Sequence, residues 1–502
     1  MKKIFISIFY LSFLKISAIV LTLFLMNCSA FFHKEEDDLT AFLLRLFLID
    51  QNSPSTVVAG GSNTCVILDD RNPATATHKI KCWGLNDAGQ LGLGDTLPRG
   101  DNAGEMGNAL PYIDLGTGRT IKKLSVGRGH ICAILDNHSV KCWGGNNNGE
   151  LGRGDTASIG DNPGEMGDSI TLIDPGTGRS IVDILTSAYP PIAVPNRSSY
   201  AILDNGSLIS WGGNESGKLG QNISTVENIG DVGGEMGVSL SPVSVPGTFM
   251  SKKLAKSAHG NFVCSIWSDS SGLINQVFCW GDNFFGQLGL ESSTSTFGDS
   301  TSTLSDPAYN YTNLGTVGYP VEIAAGAGHA CSLLNNGYVK CWGNNDNGQL
   351  GLELPASVPT LRIGDGINEM GNNLPYVNLG IGRTVKSIHT GYNHTCAILD
   401  NNRIKCWGAN NFGQLGLGHN TALGNNTAEM GDYLPYVDLG YGRTVISMTS
   451  GWNHNCAVLD NMQIKCWGVN SGQLGLGHTN NIGDNPGEMG DNLPPVKLLL
   501  DP

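Results

Sequence analysis

The chain has 502 residues, of which 69 are glycine, about twice the usual share, and only 15% are charged. The glycines follow no Gly-X-Y period, which excludes collagen, and an apolar content of 40% excludes wholesale disorder. Acidic residues outnumber basic ones by 44 to 30, a net charge of −14, which excludes a nucleic-acid binder built on clustered lysine and arginine.

Lys2 and Lys3 precede a mostly apolar stretch from Ile4 to Met26, interrupted by Lys15. A charged start and an apolar run outline a secretory signal. The stretch ends Leu25-Met26-Asn27-Cys28, which resembles the lipobox of bacterial lipoproteins. The resemblance implies a signal peptide over 1–27 and a lipid on Cys28. Asn27 stands where that pattern has a small residue, so an uncleaved anchor and plain secretion are the rival readings. Loss of 1–27 leaves 27 basic residues against 44 acidic, a net −17. Residues 28–55 read as an acidic tether, His33 to Asp38, and a short apolar segment, Leu39 to Ile49. At eleven residues that segment is too short to span a bilayer as a helix.

From residue 56 onward one module repeats. Trp-Gly recurs at Trp83, Trp143, Trp211, Trp280, Trp342, Trp407 and Trp467, each opening a version of W-G-x-N-x-x-G-Q-L-G. An alternating stretch precedes each Trp, as from His394 to Trp407, and reads as a hairpin. A G-D-N-x-x-E-M-G segment follows, with Glu-Met pairs at 105–106, 165–166, 235–236, 369–370, 429–430 and 488–489. It leads into L-P-Y-V-D-L-G-x-G-R-T-V, seen from Leu434 to Val445, which reads as two further strands. Four short strands per module, with Gly and Asn at the turns, predict propeller blades.

These motifs resemble the regulator-of-chromosome-condensation repeat family, which implies an all-β, seven-bladed β-propeller over residues 56–502. Val57 to Gly60 lacks a preceding L-P-Y-V-D-L-G segment, and Leu493 to Leu499 supplies one at the other end. The expectation is a ring closed by pairing of N- and C-terminal strands, with one blade built from both termini.

Twelve cysteines fall in pairs: Cys65 and Cys82, Cys132 and Cys142, Cys264 and Cys279, Cys331 and Cys341, Cys396 and Cys406, Cys456 and Cys466. A three-residue loop such as Asp136-Asn137-His138 sets Cys132 opposite Cys142 across the hairpin, within disulfide reach. The insertions at Asp70 to His78 and Ser268 to Asn275 leave that register unchanged. The third module has Tyr200 and Ser210 instead, both cysteines being replaced together. Zinc is the rival, but the spacing is not that of a metal knuckle. Disulfides imply an oxidising compartment, in keeping with the signal.

Residues repeated from blade to blade read as scaffold. These include His130, His329, His394 and His454, then Lys81, Lys141, Lys340, Lys405 and Lys465, and Arg119, Arg179, Arg383 and Arg443. The G-D-N-x-G-E-M-G segments raise calcium, because Asp, Asn and Glu offer oxygen ligands. They do not match the EF-hand pattern, and the same residue types serve turns. No cofactor and no metal is expected beyond that calcium alternative. Departures from the repeat are the candidate recognition residues: Tyr189, Arg197 and Tyr200 in the third module, Trp267, Phe284 and Phe285 in the fourth, and Tyr309 and Tyr311 after it.

The expected function is a lipid-anchored scaffold binding a protein or glycan in the bacterial cell envelope, monomeric and without catalysis of its own. An enzyme inhibitor, or a lyase or hydrolase acting at the propeller mouth, is the alternative. The family's eukaryotic members act on a small GTPase and chromatin. Fold does not carry that role over.

Overall fold

A computed structural model describes residues 53–498 except 70–77, 177, 188–195, 226, 258, 305–308 and 354–361. Cys28, the signal and the tether lie outside the described residues. The described chain forms seven antiparallel sheets, three of whose strands recur in every blade. Blade one holds Ser53–Ala59, Asn63–Asp69 and His78–Gly84. Blade two holds Ile121–Val126, His130–Leu135 and Val140–Gly144, and blade three Ile181–Thr186, Ser198–Leu203 and Leu208–Gly212. Blade four holds Phe249–Leu254, Phe262–Asp269 and Asn275–Asp282, and blade five Pro320–Ala325, His329–Leu334 and Val339–Asn344. Blades six and seven repeat the order at Val385–Thr390, His394–Leu399 and Ile404–Gly408, then Val445–Ser450, His454–Leu459 and Ile464–Gly468. The all-β propeller is therefore the fold.

The hairpins take the register that the cysteine spacing predicts. Cys132 faces Cys142, the insertions leave Cys65 facing Cys82 and Cys264 facing Cys279, and Tyr200 faces Ser210. All six pairs are disulfide-bonded, with α-carbons 4.1 Å apart. The third loop residue takes a positive φ, +65° at His138 and +80° at Gly206, as a type I turn with a bulge requires.

Each Trp is buried and donates its indole N–H to a backbone carbonyl of the preceding blade. Trp143 reaches Gln90, Trp211 reaches Glu150, Trp280 reaches Lys218, Trp342 reaches Gln287, Trp407 reaches Gln349 and Trp467 reaches Gln414. Trp83 completes the circuit on Gln473 at 2.9 Å, so blade seven packs on blade one. A buried indole N–H needs such an acceptor, which makes the repeated Trp both core and fastener.

The termini meet, though not by sharing a blade. The first strand pairs within blade one, and Val496 N–H bonds Ile464 O in blade seven. What both ends build is a junction: Gly107 N–H bonds Lys497 O, and Lys81 Nζ bonds Leu498 O at 2.8 Å. Between blades one and two, Asp114 O and Leu115 O accept the corresponding bonds from Gly167 and Lys141. Lys340 and Lys405 likewise bond backbone carbonyls, and the repeated arginines pair with Asp136, Asp204, Asp400 and Asp460.

Candidate binding face

The W-G-x-N-x-x-G-Q-L-G segment folds as it does because its Asn side chain replaces a strand partner. Asn86 Oδ1 accepts the Leu91 N–H at 2.8 Å while its amide donates to Asp95 O, and Asn410 treats Leu415 and His419 in the same way. Gly89 must be glycine, because φ is +74° and a Cβ would lie 2.3 Å from Asp161 N. The two residues between Asn and Gly are thereby pushed out as a tip. The tips of blades one and four lean on the G-x-x-H turn of the next blade: Asp87 lies 3.8 Å from Arg128, and the Phe285 ring lies over Gly328.

Both sets of tips therefore share one face, and its two halves differ. Blades one to three present Asp87-Ala88, Asn147-Asn148 and Glu215-Ser216. Blades four and six present Phe284-Phe285 and Asn411-Phe412, with Phe284 61% and Phe412 37% exposed, while blades five and seven present the polar Asp346-Asn347 and Ser471. Tyr392 and Trp452, at the second position of neighbouring G-x-x-H turns, are partly exposed and meet edge to face at 6.0 Å. The Arg128 guanidinium lies 5.3 Å from the Trp452 ring and joins the two halves. Backbone bonds from Ala327 to Tyr392, Tyr392 to Trp452 and Trp452 to Gly61 tie these turns into an arc. Burial lowers the Arg128 pKa, opposed by Asp87, and raises that of the Tyr392 phenol. On the rim, Arg362 stacks on Phe284 at 5.6 Å and also pairs with Asp365.

Only some of the candidate residues stand on this face. Phe284 and Phe285 do, edge to face at 4.9 Å. Tyr189 lies outside the described residues. Four others are core, which removes them from any recognition surface. Trp267 is 3% exposed and fills the place that Leu135 holds in blade two. Tyr309 is 2% exposed, bonds Cys279 O, and takes the place of Leu110. Tyr200 fills the space of a missing cystine, its hydroxyl bonding Ser198 Oγ and Lys218 O. Arg197 is buried against Glu150, at 3.5 Å. Tyr311 is exposed but regular: Thr312 N–H bonds Val277 O just as Ile113 bonds Ile80, so Tyr311 is the counterpart of Tyr112.

Arg128, Tyr392, Phe412 and Trp452 were not singled out from the sequence. Their signal is positional. They occupy the variable positions of two repeated motifs, W-G-x-N-x-x-G and G-x-x-H, rather than segments where a motif breaks.

The E-M-G glutamates are occupied by their own turns. Glu105 Oε2 accepts the N–H groups of Gly100 and Asn102, and Glu165, Glu429 and Glu488 repeat the pattern. Among the described residues no group of three or more His, Cys, Asp or Glu converges as a metal site.

A closed seven-bladed ring with short loops on a shared face defines the class: a β-propeller that presents a surface. Residues 121–150, 321–349 and 385–414, and separately 336–398 and 403–458, match profiles described as the regulator of chromosome condensation (RCC1) repeat. Those segments carry repeats of this kind, in blades two, five, six and seven. It is 24% identical over 428 residues to the ultraviolet-B receptor UVR8 of Arabidopsis thaliana, covering 84% of this chain and 79% of that one. It is 27% identical over 316 residues to the probable E3 ubiquitin-protein ligase HERC6 of Homo sapiens, but spans only 26% of that protein. Two solved structures share the fold at 18% identity. Yeast RCC1 (Prp20), solved bound to Kap60, superposes with a TM-score of 0.55 over 89% of this chain and 85% of its own. Human WBSCR16 does so with 0.53 over 80% and 86%.

Proposed function

We propose that this protein is a binding propeller that works outside the cytoplasm, tethered through a lipid on Cys28, and that it recognises a protein partner with the aromatic half of its tip face. The carrying observation is the asymmetry of that face. Phe284 and Phe412 are exposed on tips whose counterparts in blades one to three are short and polar, and Trp452 and Tyr392 line the mouth beside them. Exposed aromatics on a rigid frame lose little entropy on binding and are the usual anchors of protein interfaces. Yeast RCC1, which shares the fold, has been solved bound to the protein Kap60, in keeping with a protein partner here. Six disulfides favour an oxidising compartment. Among the described residues no helix is long and apolar enough to cross a membrane. A glycan is the second reading, favoured by the Tyr392–Trp452 pair as a stacking platform.

One experiment tests both halves. Envelope capture and fatty-acid labelling are compared among wild type, Cys28→Ala and the triple variant Phe284→Ala, Phe412→Ala, Trp452→Ala. The expected result is label lost only in the first variant and partner lost only in the second. Label retained in Cys28→Ala overturns the anchor, and an unchanged capture by the triple variant overturns the face. Capture abolished by glycosidase treatment of the envelope moves the reading from protein to glycan.

A further inference from the structure

The face opposite the tips carries apolar side chains that recognition at the tips does not use. The hairpin turns open onto that face, and so do the loops that enter each first strand. Asn335 N–H bonds Tyr319 O, Asp400 N–H bonds Thr384 O and Asp460 N–H bonds Thr444 O, each joining a turn to the entry loop of its own blade.

The turns and loops change character around the ring. Blade two has the turn Asp136-Asn137-His138 and an entry loop with Thr117, whose N–H and hydroxyl both bond Asp168. Blade three has the turn Asp204-Asn205-Gly206. From blade four to blade seven, every blade adds an exposed apolar side chain. Blade four has a lengthened turn with Leu273 and Ile274, and blade five an entry loop with Val317 and Tyr319. Ile381 and Tyr441 take the place of Thr117 in the loops entering blades six and seven. Their N–H groups bond Asp432 and Asp491 as that of Thr117 bonds Asp168, but their side chains stand out, 90% and 93% exposed. One exposed apolar residue is ordinary. A succession of them along four adjoining blades, all on one face, makes a rim.

The entry point of the chain indicates what that rim meets. Ser53 pairs with Asp69, at the turn end of blade one, so residues 28–52 join the ring on this same face. Blade one packs on blade seven, the blade that Tyr441 enters. A tether attached there holds the turn face nearer to a bilayer than the tips. The chemistry of the rim suits a lipid surface: tyrosines favour the membrane–water interface, and aliphatic side chains gain by leaving water. The charges beside them are paired, Arg383 with Asp400 and Arg443 with Asp460, so contact with lipid strips no lone ion of its water. A single acyl chain holds a protein only marginally, and stable attachment takes a second signal.

We propose that the rim of Leu273, Val317, Ile381 and Tyr441 rests in the lipid surface as a second membrane contact, resting itself on the lipid anchor proposed above. The tip face is then turned away from the bilayer and open to its partner.

Tryptophan placed on the rim tests this in the full, oxidised chain. The chain is fixed to phosphatidylcholine vesicles, plain or with brominated acyl chains, by its own lipid. Where fatty-acid labelling finds no lipid, the Cys28 thiol is coupled instead to a maleimide phospholipid, so the labelling reports on the anchor and the quenching on the rim. Eight native tryptophans are buried and Trp452 lies on the tip face, so wild type sets the baseline. Ile381→Trp and Tyr441→Trp should each add emission that is shifted to the blue and lost to the brominated chains, while the emission added by Phe412→Trp on the tips should be the same in both lipids. Emission from both rim variants that is equal in the two lipids overturns the proposal, whatever the labelling shows, and leaves the rim to a protein partner. Quenching of Phe412→Trp as strong as that of the rim variants overturns it as well, since the ring would then have no fixed side toward the membrane.

Discussion

Two stretches of the ring solve the same problem with different chemistry. Between blades five, six, seven and one, the polar layer is neutral. His454 Nε2 meets Thr64 Oγ1 at 3.0 Å, and Thr64 in turn donates to Gln473 O. His329 repeats this with Thr395 and Gln349, and His394 with Asn455 and Gln414. Between blades two, three and four the same layer is charged. Glu150 and Lys218 stand where other blades have Gln, and Arg197 stands where blade two has Gly129. Arg197 Nη1 lies 3.5 Å from Glu150, both essentially buried, and Lys218 Nζ bonds Asn196 O and Asn261 Oδ1. Burial holds the Glu150 pKa up at about 7 and the Lys218 pKa down at about 7. The backbone bonds are untouched: Trp211 and Ser199 still find Glu150 O. The repeat therefore fixes the carbonyl and leaves the side chain free to change, provided that buried charges arrive with partners.

The comparison breaks most visibly on reduction. Each disulfide closes a short loop and contributes roughly 2–3 kcal/mol, less when summed. Thiol reduction should therefore lower the melting temperature more than any single substitution. Hydrogen exchange should show loss of protection in six hairpins, with the third, held by Tyr200 and the Ser210 Oγ to Leu219 O bond, least affected. Equal loss in all seven would mean that blade three owes its stability to its neighbours.

A smaller effect separates the charged layer from the neutral one. Arg197→Ala leaves the Glu150 carboxylate buried beside an empty space, and breaking a buried pair costs about 3–5 kcal/mol. Arg197→Gly with Glu150→Gln restores the residues of a regular blade and should recover most of that loss in urea unfolding. A double variant no more stable than Arg197→Ala would show that the charges do more than replace the neutral layer.

Much of this was legible beforehand because repetition multiplies evidence. Seven Trp-Gly dipeptides and six cysteine pairs each report the same hairpin, so blade number, register and bonding follow from spacing. Single irregularities are harder to read. Trp267 and Tyr309 looked like exposed anchors, yet each replaces a repeated Leu and is held by the core, since a large apolar side chain fits either setting. The Glu150–Arg197 pair was invisible because its members are 47 residues apart and join only when adjacent blades pack. Closure through a junction was likewise hidden, because the sequence does not state whether an outer segment pairs with the hairpin before it or after it.

The histidines allow the finest test. The Thr64 hydroxyl has one proton, committed to Gln473 O, so His454 must donate from Nε2 and keep Nδ1 bare. That Nδ1 is buried against Gly451 with no hydrogen-bond partner. Protonation would place an unpaired charge in the core, and burial depresses the pKa to about 3. An unfolded His titrates near 6.5, so below that pH the unfolded chain binds the extra proton and the folded chain does not. The stability contributed by neutral His454 is full above pH 6.5 and is lost as the pH falls toward 3, by about 1.4 kcal/mol per pH unit. Blade one carries Asn63 at the same position and has no such term. His454→Asn should therefore flatten the acid limb of the stability profile by about that slope while leaving its neutral plateau little changed. An acid limb unchanged by the substitution would assign the pH sensitivity to the carboxylates instead.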